Sequence, residues 1–336
     1  MELKSSAFKA YDIRGKFPEE VNEELAYRIG RVFPTLFNAK RVAVGHDIRL
    51  SGPDIQKALE LGLTEMGCEV VDIGQCGTEM IYFATAHLGL DGGIMITASH
   101  NPKEYNGLKL VRKEARPISG DTGLKDIEAK VMAGDLGTPA EVPAKVIEVD
   151  IMKDYIDHLL TYVDMSALKP LKIVVNSGNG AAGPAIDELE KRLPFNFVKV
   201  NNNPDGTFPN GVPNPLLMEN REATAKVVRE EKADLGVAFD GDFDRCFIFD
   251  ENGDMIEGYY IVGFLAKAFL NKNPGAKIHA SFGIQLSLLK KLAVYLLCVR
   301  AVMHLLKIAC VKKMLFMAAK CLHITTSKIS LSAIAV

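Results

Sequence analysis

The 336 residues, 48% hydrophobic and 24% charged, are enough for two or three globular domains of ~100–150 residues each. A formal net charge of −2 lacks the basic excess that a nucleic-acid partner draws. No uncharged apolar run approaches the ~20 residues of a membrane helix, because Lys290, Lys291, Arg300 and Lys307 interrupt the apolar tail.

Residues 1–8 show no apolar core or cleavage site of a secretory signal, and the six cysteines form no CxxC pair. Free thiols in a reducing cytoplasm are therefore expected. Apolar positions recur at helical spacing over 21–37, and Arg41-Val42-Ala43-Val44-Gly45 then reads as a short buried strand closed by a glycine. A second amphipathic helix is expected over 54–66, with strands at 69–74 and 92–97. Such alternation predicts helices packed on a mostly parallel sheet.

The Gly- and Pro-rich stretch 134–143 follows neither period and reads as a connecting loop. A second unit begins with a helix over 151–160 and a strand over 171–175 that closes on Asn176-Ser177-Gly178-Asn179-Gly180. Another buried strand, 235–239, runs straight into Asp240-Gly241-Asp242-Phe243-Asp244-Arg245 and returns through 246–249 to the turn Asp250-Glu251-Asn252-Gly253. The fold class expected is α/β, as tandem domains each with a mixed sheet between helices, divided at 1–150 and 151–255. Ligands of such sheets gather at the carboxyl ends of strands.

Two motifs carry chemistry. In Asp240-Gly241-Asp242-Phe243-Asp244-Arg245, three carboxylates alternate on a glycine-containing loop and can converge on one hard cation, for which magnesium is the natural candidate. Without a cation they would repel, and the adjacent arginine offers a planar fork for phosphate. A solvated acidic turn is the alternative. The second motif, Thr97-Ala98-Ser99-His100-Asn101-Pro102, sets a hydroxyl beside an imidazole after a buried strand. A phosphate carrier or nucleophile fits there, and so does an ordinary Ser/Thr turn.

These two motifs, with Asn106-Gly107-Leu108-Lys109 between them, resemble the phosphoserine and metal loops of the α-D-phosphohexomutase family. The resemblance runs over residues 7–277 and includes Phe8-Lys9-Ala10-Tyr11-Asp12-Ile13-Arg14-Gly15 and Pro204-Asp205-Gly206-Thr207-Phe208-Pro209-Asn210. It implies that Ser99 holds the catalytic phosphoryl group and gives one oxygen to Mg2+, with Asp240, Asp242 and Asp244 supplying the others. It further implies that Arg245 contacts the phosphoserine, that Tyr11 and Arg14 line the cleft, and that Lys109 and His100 are candidates for moving the sugar hydroxyl's proton. The implied reaction is a relay between hexose 6-phosphate and hexose 1-phosphate, through a hexose 1,6-bisphosphate that is also the activator. Residues 208–215 and 115–123 look most like the bacterial phosphomannomutase type. Small sugar phosphates are the implied partners. A non-catalytic phosphosugar-binding protein and a magnesium-dependent phosphatase with an Asp nucleophile are the rival readings.

The family has four domains, and residues 256–277 resemble the start of the third. After Glu257 the sequence holds eleven Lys or Arg and no Asp or Glu. Read one base back, 311–328 permits a run containing Gly-Glu-Met-Ser-Ala-His-His-Tyr, which resembles the family's sugar-recognition loop. The stretch 278–336 is therefore expected to be an out-of-frame basic tail, and mutase turnover to be impaired. The rival for the tail is a basic amphipathic helix.

Overall fold

The computed structural model describes residues 3–272, 278–279 and 329–330. Strand β1 (Ile13–Lys16) leads to α1 (Glu23–Phe37), whose start is set by Asn22: its side-chain oxygen accepts from the Leu25 amide at 3.0 Å. Glu23 and Glu24 occupy the first turn, where the free amides favour negative charge. The cap explains why the helix begins two residues later than the apolar spacing implies. Then follow β2 (Arg41–His46), α2 (Gly52–Glu65), β3 (Glu69–Gln75), α3 (Thr78–His87), β4 (Gly92–Ile96), β5 (Tyr105–Arg112), β6 (Arg116–Pro117), α4 (Leu124–Ala133) and β7 (Val146–Glu148). Helix α2 starts two residues earlier than expected, with Pro53 in its first turn, where no amide donor is needed.

These strands make one seven-stranded sheet in the order β1-β5-β4-β2-β3-β7, with β6 on β5. β2 runs parallel to β3 and β4, and β3 to β7, while β5 is antiparallel to both β4 and β1. The second unit holds α5 (Met152–Leu160), β8 (Lys172–Asn176), α6 (Gly183–Glu190), β9 (Asn196–Val200), α7 (Met218–Glu231), β10 (Leu235–Phe239) and β11 (Cys246–Phe249). Its sheet has the order β11-β10-β8-β9, parallel except for the β10–β11 pair. Both sheets are mixed, as expected. Helix α8 (Gly258–Lys272) follows. Of the tail, only Ile278–His279 and Ile329–Ser330 are described, as two short parallel strands. The out-of-frame reading of 278–336 otherwise lies outside the described residues.

Strand alternation divides the core. Val42, Val44, Ile94 and Ile96 point to one face and pack on Leu25, Ile29, Phe33, Leu59 and Leu63 of α1 and α2. The intervening Ala43 and Met95 point to the other face and join Ile81 and Ala84 of α3. That cluster continues through Ile156, Leu159, Ile173, Val175, Val237 and Ile248 of the second unit. One core thus crosses between the sheets, each buried Leu or Ile contributing ~1.5–3 kcal/mol. Helix α3 lies inside it, with Phe83 meeting Tyr155 of α5 edge to face at 5.6 Å between centroids. A helix covered this way has no polar stripe, so its sequence shows no helical period.

Candidate active site

Ser99 sits on the turn between the antiparallel strands β4 and β5, at the carboxyl end of β4. Its backbone is left-handed (φ 52°), and the side chain is buried. The Ser99 amide donates to Thr97 Oγ1 at 2.8 Å, and Thr97 Oγ1 donates to the buried Asp47 Oδ2 at 2.7 Å. From the second sheet, β10 delivers the acidic loop in the same way, between antiparallel strands. Ser99 Oγ donates to Asp240 Oδ2 at 2.6 Å, so a hydroxyl from the first sheet meets a carboxylate from the second. The loops touch closely: a Cβ on Gly241 would stand 2.6 Å from the Ser99 carbonyl oxygen.

Ligand oxygens of Asp240, Asp242 and Asp244 lie within 4.8 Å of one another. Asp242 Oδ2 accepts from Lys109 Nζ at 2.6 Å and from Thr78 Oγ1 at 2.5 Å; Asp244 Oδ2 accepts from Lys109 Nζ at 2.7 Å. The Oδ1 atoms of Asp242 and Asp244 are buried without a hydrogen-bond partner. Burial and the charges of Asp242 and Asp244 push the Asp240 carboxyl well up. Burial also opposes ionisation of Asp242, but the Lys109 ammonium outweighs it and holds that carboxyl low. Lys109 is in turn kept protonated, since Asp242 and Asp244 more than offset its burial. Three oxygen donors with two unspent buried lone-pair sites fit a hard divalent cation. The Lys109 ammonium already balances part of their charge.

His100 is neutral near pH 7, because burial and the neighbouring Arg245 and Arg14 push its pKa down to about 4. Its Nδ1 accepts from Arg245 Nη1 at 3.0 Å and lies 3.0 Å from Ser99 Oγ. An arginine can only donate, so the His100 proton is on Nε2. Arg245 also donates its amide to Asp240 Oδ1 at 3.1 Å. On β1, Arg14 donates to Asn101 Oδ1 at 2.8 Å and to Asp12 Oδ2 at 2.5 Å, while its buried Nε has no partner. Tyr11 stays 80% exposed.

Eight of the nine residues named from sequence therefore converge, and the ninth, Tyr11, is an exposed side chain near Arg14 in sequence. Sequence reasoning missed Thr78, Asp47 and Arg49. Thr78 opens α3, and its amide donates to the Asp242 carbonyl at 3.2 Å. The preceding Gly77 lets Phe243 pack there, since a Cβ would fall 2.1 Å from the ring. Asp47 and Arg49 follow β2 just as the named motifs follow β4 and β10. That shared position was the signal available.

Residues 5–137 match the phosphoglucomutase/phosphomannomutase α/β/α domain I, and residues 153–253 match domain II. The chain belongs to this family, as its fold and converging loops imply. It is 58% identical over 280 residues to a phosphomannomutase of Salmonella montevideo, covering 81% of this chain and 61% of that one. It is 57% identical over 272 residues to a Xanthomonas campestris pv. campestris protein named phosphohexose mutases, covering 81% and 60%. A solved phosphoglucomutase/phosphomannomutase family protein from Burkholderia thailandensis superposes with TM-score 0.77 at 33% identity, over 83% of this chain and 62% of that one. The chain thus spans about three fifths of the length of the curated relatives it matches. No helix among the described residues is long and apolar enough to cross a membrane.

Proposed function

We propose that this chain carries the phosphoserine and metal pole of a phosphomannomutase-type phosphohexomutase, acting on hexose phosphates with mannose first and glucose as the alternative sugar. Ser99 is the phosphoryl carrier. Asp240, Asp242 and Asp244, with an oxygen on Ser99, would hold Mg2+. The bound ion would neutralise charge on the phosphoryl oxygens. The observation that carries this reading is the 2.6 Å contact between Ser99 Oγ and Asp240 Oδ2. It sets the hydroxyl of one sheet against the carboxylates of the other.

In the forward step the bond between phosphorus and Ser99 Oγ breaks as a bond to the free hydroxyl oxygen of a hexose phosphate forms. The product is a hexose 1,6-bisphosphate, and the hydroxyl proton passes to a group in the cleft. After the bisphosphate turns over, its other phosphoryl group returns to Ser99. His100 and Lys109 remain the candidates for the proton. Lys109 is a cation gripping two carboxylates, so it accepts a proton only after giving one up. Arg14, with one buried donor unspent, and Arg245 offer positive charge to the phosphoryl group; Tyr11 is the exposed rim.

The test is intact-mass measurement of the purified chain after incubation with Mg2+ and glucose 1,6-bisphosphate. One phosphoryl group is expected on the wild type and none on Ser99→Ala. Equal uptake by both, or none by either, would sink the reading. A coupled assay on mannose 1-phosphate then scores the expected impairment of full turnover.

A further inference from the structure

Arg49 is 1% exposed and stands among the largest fully buried side chains, yet it reaches none of the side chains assigned to chemistry. Its guanidinium spends its donors on backbone. Nη2 donates to the carbonyl oxygens of Ser99 at 2.9 Å and Asn101 at 2.6 Å, and Nη1 to those of Pro102 at 2.7 Å and Tyr105 at 2.8 Å. Nε lies 3.4 Å from Asp47 Oδ2, the carboxylate that also receives Thr97 Oγ1. Four carbonyls spread over residues 99–105 thus meet at one planar cation. Only a guanidinium has enough fixed donors for this; an ammonium has three and no plane.

The second unit closes the other side. Phe208 places its ring over the Arg49 guanidinium, 5.4 Å from Cζ to centroid, and clusters with Ile48. The approach needs Gly206, where a Cβ would lie 2.2 Å from the Ile48 carbonyl oxygen. The stretch Pro204-Asp205-Gly206-Thr207-Phe208, which supplies nothing to the chemistry described above, thereby acquires a task.

We propose that Arg49 is a positioning residue for phosphoryl transfer at Ser99, tying residues 99–105 into one rigid loop, with Phe208 as the lid on its guanidinium. The loop needs such restraint. Ser99 holds a left-handed backbone that a residue with a Cβ rarely adopts, and its Oγ must stay aligned with carboxylates from another sheet. A small drift of Oγ is enough to slow an in-line transfer about 100-fold.

This inference rests on the reading of Ser99 as phosphoryl carrier, and the experiment separates the two. The full chain and the variants Arg49→Met and Arg49→Lys are compared by phosphoryl uptake from glucose 1,6-bisphosphate with Mg2+, by thermal melting, and by hydrogen exchange over 97–106. For Arg49→Met, the maximal uptake rate is expected to fall about 100-fold, with the half-saturating bisphosphate concentration within about threefold of wild type. Exchange should accelerate over 99–106 and not in β2 or β4. Arg49→Lys, which keeps the charge without the fork, should resemble Arg49→Met rather than wild type.

Uptake by either variant within about threefold of wild type overturns the proposal, as does slowed uptake with unchanged loop exchange. If Arg49→Met does not fold, Arg49→Lys decides; if neither folds, Arg49 is a residue of the fold and the proposal fails. A wild type that takes up no phosphoryl group defeats the Ser99 reading and the transfer role with it. Loop exchange then still reports whether the clamp exists.

Discussion

The loop after β4 and the loop after β10 stand in the same place in their sheets, each leaving a buried strand with a parallel neighbour and returning on an antiparallel one. They are restrained in different ways. The β10 loop carries its three carboxylates itself, and much of its restraint is charge: Asp242 and Asp244 share the Lys109 ammonium, and Asp240 accepts the Arg245 amide. The β4 loop carries the Ser99 hydroxyl and borrows its restraint from Asp47, Arg49 and Phe208. A charged loop changes its balance when a cation binds, whereas a loop tied by its carbonyls does not. On the proposed function, one loop responds to a metal and the other keeps a hydroxyl still.

The largest effect should come from the β4 loop. Ser99→Ala is expected to abolish phosphoryl uptake, because among the described residues no other hydroxyl donates to Asp240, while melting stays near wild type. Removing Oγ deletes one hydrogen bond worth roughly 1 kcal/mol. Intact mass and thermal melting on the same samples check both halves.

The β10 loop should answer to metal instead. Mg2+ at about 100 times its Kd is expected to stabilise the chain by ~2.7 kcal/mol over a chelated sample. Asp242→Asn should lose most of that increment, since it withdraws one of the two buried carboxylates with a free oxygen. Melting with Mg2+ against EDTA measures the difference. Ser99→Ala withdraws one proposed ligand oxygen but no charge, so it should lose a smaller part of the increment; if it loses as much as Asp242→Asn, the division of labour between the loops is wrong.

Gly241 is where the loops meet, and Gly241→Ala should strain both. Its Cβ would press on the Ser99 carbonyl, backbone that cannot swing away, at a cost of about 2 kcal/mol. Denaturant melts give the stability change. Slower phosphoryl uptake together with weaker Mg2+ stabilisation would show that strain passes in both directions.

What could be read from sequence follows the same division. The strands at 41–45 and 235–239 and the two loops of the candidate site were legible, because buried strands are short apolar runs and the residues named for the site directly follow them. The restraints were not. Lys109 meets Asp242 and Asp244 across separations of 133 and 135 residues, and no local pattern records such a pairing. Helix α3 escaped for a different reason: Met80, Ile81 and Ala84 are buried, and Tyr82 and Phe83 pack on the core between them. Its apolar residues therefore fall on every side. The Thr78 that steadies Asp242 was lost along with the helix.

The smallest effect serves as a control on pH. Glu60, on α2, is half-buried near Asp72 and Glu148, and donates nothing to either loop; burial pushes its pKa up to about 7 from 4.5. The folded state therefore favours the protonated form. Its contribution is fully present below pH 4.5 and is lost as pH rises through about 7. Glu60→Gln keeps the acceptor for Gln56 Nε2, now at 2.7 Å, and removes the charge. The variant should match wild type at pH 4.5 and gain stability up to pH 8, by about 1–2 kcal/mol after allowance for solvent screening. Phosphoryl uptake measured over the same range should not follow that curve, since Glu60 touches neither loop. An uptake profile displaced by Glu60→Gln would mean that the two loops share a titration with the far edge of the first sheet, and that their restraint is less local than the contacts describe.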